Sequence, residues 1–93
     1  MARGAHISAR PGGRYEIRLS PAAARAYRRC ERVGAAIDGL AEEPRPRGAA
    51  RLAGQDDFRI RVGDHRVVYA VDDAERLVIV ARVAHRREVY RRS

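Results

Sequence analysis

The chain has 93 residues, a formal net charge of +8, and 34% charged against 45% hydrophobic residues. That length makes one domain burying about 60–65% of its unfolded surface, which folds alone with little core to spare. The single cysteine, Cys30, excludes an intramolecular disulfide and a cysteine-built metal site, and no run has the apolar length of a membrane span.

Cysteine usage points to a reducing interior, and residues 1–14 lack a hydrophobic signal-peptide core, so the cytoplasm is the expected compartment. The basic balance suggests a polyanionic partner, with nucleic acid first. Every Lys/Arg position is Arg, and Ala and Gly are abundant, which a GC-rich coding bias would also produce. Where the arginines fall therefore matters more than how many there are.

Residues 1–13 mix Arg, Gly and Pro without periodicity and read as a disordered lead-in to a single domain over 14–93. Tyr15-Glu16-Ile17-Arg18-Leu19 alternates, as a strand with one buried face does. Ser20-Pro21 then predicts a helix, Ser20 as N-cap and Pro21 in the first turn, continuing through Ala22 to Cys30 with Tyr27 its largest inward residue. Val33, Ala36, Ile37 and Leu40 follow at i, i+3, i+4, i+7, marking a second helix, or the rest of a bent one, that Pro44 ends near Glu43. Arg25, Arg28, Arg29 and Arg32 read most simply as a solvated helix face. Pro44 to Gly48 is a stiff linker.

The central signal is Phe58 to Val71. Phe58, Ile60 and Val62 alternate with Arg59 and Arg61, and Gly63-Asp64 suits a two-residue type II′ hairpin turn. Such a turn opposes Val62 to His65, Arg61 to Arg66, Ile60 to Val67, Arg59 to Val68 and Phe58 to Tyr69. One face then carries the core, and the other gathers Arg59, Arg61 and Arg66 with no carboxylate expected among them. Like charges opposed across strands cost about 0.2–1 kcal/mol, so a solvated strand face explains the cluster less well than an external anion does. His65 falls on the core face at the hairpin tip. An acidic turn, Asp72 to Glu75, leads to Leu77-Val78-Ile79-Val80-Ala81, apolar on both faces and therefore read as a covered, central strand. The tail from Ala84 holds His85, Arg86 and Tyr90 and can fold beside the arginine face. The expected fold is α+β: a small curved antiparallel sheet of about four strands with one or two N-terminal helices on one face.

Ile17-Arg18-Leu19-Ser20-Pro21, Leu52-Ala53-Gly54, Phe58 through Tyr69 and Val83-Ala84-His85-Arg86-Arg87-Glu88-Val89-Tyr90 together resemble the RelE/ParE superfamily of bacterial type II toxin–antitoxin toxins. The likeness runs from about Tyr15 to Arg91. RelE-like members are ribosome-dependent endoribonucleases acting on mRNA in the A site; ParE-like members inhibit DNA gyrase without nuclease activity. The resemblance implies that Arg59, Arg61, Arg66, Arg86 and Tyr90 occupy the RelE-like site, and that an antitoxin, the 70S ribosome and mRNA are partners. It also implies 2′-OH attack leaving a 2′,3′-cyclic phosphate and a 5′-OH end. Arg61 and Arg66 suit the phosphate oxygens, Arg59 adds charge or holds the flanking backbone, Arg86 supports the leaving group, and Tyr90 stacks on a base or packs the C-terminus. Strand bases that are often Lys in RelE-like enzymes are Arg here, and a guanidinium does not act as a base. His85, the tail group that titrates near neutrality, is the candidate proton carrier. No metal or cofactor is implied. A gyrase inhibitor and a non-catalytic basic nucleic-acid binder are the alternatives.

Overall fold

The computed structural model describes residues 7–8, 14–52 and 57–85. The elements run β1 (Ile7–Ser8), β2 (Glu16–Leu19), α1 (Pro21–Arg29), α2 (Glu31–Gly39), β3 (Ala50–Arg51), β4 (Asp57–Val62), β5 (His65–Asp72) and β6 (Leu77–His85). The α+β expectation holds, with both helices on one side of the sheet. Among the described residues the sheet has six strands in the order β1-β2-β6-β5-β4-β3, four of them longer than two residues. One pairing is parallel: β2 lies beside β6, Ile17 opposite Val78 and Leu19 opposite Val80. The connection between them, two helices and three further strands, makes this possible, because strands joined by a long connection can run the same way. Ile7–Ser8, inside the lead-in expected to be unstructured, pairs with Leu19 and Arg18.

The helix start is as the sequence predicts. The Ser20 hydroxyl accepts from the Ala23 amide at 3.1 Å and donates to the Ala81 carbonyl at 2.7 Å, so one side chain both caps α1 and ties it to β6. Ser20→Ala is expected to cost about 1–2 kcal/mol, read as a lower urea midpoint at unchanged slope; an unchanged midpoint would mean that neither bond matters. The chain breaks at Cys30, which is extended between the two helices. Gly34 allows the helices to close up, since a Cβ there would meet the Tyr27 carbonyl at 3.0 Å. Tyr27 packs against the core and donates from its hydroxyl to Asp38 at 2.8 Å. The second helix stops at Gly39, earlier than Pro44 suggests, because the chain turns there to bury Leu40 and Ala41.

Ile17, Leu19, Val33, Ile37, Leu40, Val67, Tyr69, Val78 and Val80 form the center of the core between helices and sheet. Phe58 stacks on Tyr69 at 5.8 Å, with the guanidiniums of Arg45 and Arg51 5.3 and 5.8 Å from its ring center. Burial pushes the Tyr69 hydroxyl up to about 12, and it donates to the Pro44 carbonyl at 2.8 Å, anchoring the linker after α2.

Arg45 also grips Asp73 at 2.8 and 3.3 Å, and the Tyr15 hydroxyl donates to the same carboxylate at 2.6 Å. The hydrogen bond from Arg45, then that from Tyr15, holds the Asp73 carboxyl below its ordinary value. A carboxyl whose folded pKa is depressed contributes stability above its unfolded pKa and loses it as pH falls through the folded one. Asp73→Asn should therefore flatten the fall of Tm below about pH 4, the unfolded carboxylate range; calorimetry showing the same slope in both proteins would refute the assignment.

β6 is central, between β2 and β5, but it is not covered on both faces. Leu77 and Ile79 stand half-exposed on the side away from the helices. Its apolar run reflects a patch shared with Val68 and Ala70 rather than a second helical layer.

Candidate functional site: an arginine face on the open side of the sheet

The hairpin forms in the expected register throughout, from Phe58 opposite Tyr69 to Val62 opposite His65. Gly63 has φ +60° and Asp64 does not share the positive value, as a type II′ turn requires. Phe58, Ile60, Val67 and Tyr69 are buried under the helices. Arg59 and Arg61 are exposed and Arg66 half-buried on the other face, where Arg61 and Arg66 are directly opposed. Direct opposition brings their Cβ atoms to about 4.5–5.5 Å.

β6 adds a fourth arginine that sequence reading missed. The β5–β6 register shifts between Val68 and Tyr69: Val68 faces Arg82, whereas Tyr69 faces Val80. Ala81 is thus an extra residue, a bulge, and its carbonyl is the one held by Ser20. With unbroken alternation from Val78 and Val80, Arg82 would point into the core. The bulge reverses the parity, so Val83 joins the core and Arg82 shares the open face in one row with Val68 and Arg59. A bulge has no reliable residue signature. The available hint was that regular alternation would bury Arg82.

The same reversal corrects the reading of His85. It pairs with His65 on the helix side, the two rings 4.9 Å apart edge to face, and is not beside Arg61 and Arg66. His85 therefore stands on the opposite side of the sheet from a phosphate held on the arginine face. Arg86 and Tyr90 lie outside the described residues.

The expectation that no carboxylate shares the arginine face also needs correction. Asp57 lies on it, opposite Ala70, with Glu16 and Asp72 farther along. Asp57 is two residues from Arg59, about 6.6 Å along the strand. Glu16 pairs with Arg18 at 3.3 Å. Among the described residues, Arg59, Arg61, Arg66 and Arg82 have no carboxylate within ion-pair distance. The open face is consequently polarised: acids and their partners at one end, four guanidiniums toward the hairpin tip. Such an array can hold a phosphate by paired N–H donors and stabilise added negative charge on it. It cannot accept a proton. No group of three or more His, Cys, Asp or Glu able to hold a metal occurs among the described residues, nor does a helix long and apolar enough to cross a membrane.

Comparison with known proteins agrees with this architecture. The archaeal RelE–RelB complex from Pyrococcus horikoshii OT3 matches with TM-score 0.64 at 24% identity, covering 77% of this chain and 94% of the other. The toxin–antitoxin complex RelBE2 of Mycobacterium tuberculosis gives 0.61 at 26% identity, with 82% and 95% covered. A mutant of E. coli toxin RelE in the free state gives 0.62 at 25% identity, with 83% and 90% covered. Among curated proteins none matches the sequence. The family model for the ParE toxin of the type II toxin–antitoxin system parDE matches residues 12–90. One match carries the ParE name and the solved structures the RelE name, and what they share is the superfamily. With most of its length matched, the chain belongs to the RelE/ParE superfamily of type II toxin–antitoxin toxins.

Proposed function

We propose that this toxin is a ribosome-dependent endoribonuclease of the RelE-like kind, cutting mRNA in the A site and so stopping translation. The observation that carries the reading is the directly opposed Arg61–Arg66 pair, flanked by Arg59 on an open sheet face and without ion-pair partners among the described residues. Opposed guanidiniums cost stability, and a bound phosphate would offset that cost. Arg61 and Arg66 hold the non-bridging oxygens of the scissile phosphate and stabilise the phosphorane as the 2′-oxygen attacks. Arg59 and Arg82 hold the flanking backbone. The 2′-hydroxyl proton goes to an acceptor outside the array, within the ribosome-bound complex. As the 2′-oxygen–phosphorus bond forms, the phosphorus–5′-oxygen bond breaks, and the 5′-oxygen takes a proton from a donor in the same complex to leave as a 5′-OH end. Arg86 supports that leaving oxygen, and Tyr90 stacks on a base. The partners are then the ribosome with its message in the cytoplasm, and a cognate antitoxin that covers the basic face with an acidic or amphipathic segment, as RelB accompanies RelE in a solved relative.

Mapping mRNA 5′ ends on ribosomes after induction tests the proposal. New 5′-OH ends at the A-site position, within the time that protein synthesis stops, are expected. The ParE family match favors a second reading, a gyrase inhibitor without nuclease activity. An arrest of DNA replication with an SOS response, before any fall in protein synthesis and without new mRNA ends, would establish that reading and sink the first.

A further inference from the structure

The side of the hairpin away from the arginine face carries a second basic feature. Ala22, Arg25, Ala26 and Arg29 fall at i, i+3, i+4, i+7 and form one stripe of α1. That stripe, with Cys30 and His65, lines an open pocket of about 260 Å³. The alanines are why the pocket exists, since longer side chains there would fill the floor between the two guanidiniums. Arg25 and Arg29 sit one turn apart with Cβ atoms about 5–6 Å apart, so both forks can close on one small group. His65 lines the same pocket from the hairpin, and its ring meets that of His85 edge to face at 4.9 Å. Among the described residues, no carboxylate lines the pocket. Two guanidiniums, an imidazole and a small cup match a tetrahedral oxyanion better than an apolar or cationic ligand.

We propose that this pocket is a phosphate-binding site, separate from the arginine face and reached around the hairpin tip. The phosphate is either part of an RNA backbone passing over the tip or a free small phosphate. Neither α1 nor His65 belongs to the proposed cleavage array, so the site stands or falls independently of the nuclease reading.

The test uses the full chain with Arg59, Arg61, Arg66 and Arg82 intact. Inorganic phosphate should shift the imidazole NMR signals of His65 saturably. The shift should vanish both in Arg25→Gln/Arg29→Gln, which removes the forks, and in Ala26→Met, which fills the cup without changing charge. A second arm measures single-stranded RNA binding by fluorescence anisotropy against salt. If the backbone uses the pocket, the double variant gives up the one phosphate held there and loses about 0.7 from the slope of log K against log salt, and Ala26→Met weakens binding too. Unchanged RNA binding alongside a lost phosphate shift identifies a free small phosphate as the ligand. The proposal is overturned if phosphate leaves His65 unmoved, or moves it equally in the wild type and in Ala26→Met.

Discussion

Arg61→Ala and Arg66→Ala are each expected to reduce cleavage of ribosome-bound mRNA by about 10²–10³-fold, the usual cost of removing one preorganised donor from a developing oxyanion. Folding should survive, because Arg61 is exposed and Arg66 half-buried outside the core. The urea midpoint should even rise slightly, since each variant relieves a repulsion of about 0.2–1 kcal/mol. Arg61→Lys keeps the charge and loses the planar fork, so a partial loss is expected. Arg82→Gln should weaken the response less, as Arg82 stands a row away across β5. Single-turnover cleavage on programmed ribosomes, with circular dichroism alongside, separates these outcomes. If both alanine variants unfolded, the pair would be structural and the phosphate site would be lost as an idea.

The largest effect on stability is expected at Tyr69. Its ring is buried to 1% exposure between the sheet and helices, stacks on Phe58, and carries the bond to Pro44. Tyr69→Ala should cost about 3–5 kcal/mol, much of the roughly 5–15 kcal/mol that a domain possesses. Tyr69→Phe isolates the hydroxyl: it leaves the Pro44 carbonyl without its donor and should cost about 1–3 kcal/mol. Urea denaturation of the two variants gives both values, and a Phe variant as stable as the parent would mean that the linker is anchored by Arg45 alone.

The hairpin was legible because two independent signals coincide there. Alternation sets which residues face inward, and a two-residue turn with Gly63 sets the pairing, so the opposed Arg61 and Arg66 follow without coordinates. The start of α1 was legible for a similar reason, Ser20 and Pro21 each having a defined place at a helix start. β6 was not. Its apolar run identified a central strand, but the extra residue at Ala81 inverts every side chain beyond it. That single insertion exchanges His85 for Arg82 on the open face, so the site loses a titratable group and gains a fixed charge. The parallel β2–β6 contact was equally hidden, because nothing in Ile17 or Val78 specifies a partner so distant along the chain.

That contact also bears on when the molecule becomes dangerous during its own synthesis. The segment made early finds its neighbour in the segment made late, so the sheet stays split until residues 77–85 have been translated. Closing so long a loop is a slow, entropy-limited step. A nascent chain stalled before that point would hold the hairpin arginines on an unsupported ribbon, and a truncated product should be harmless to the cell that makes it.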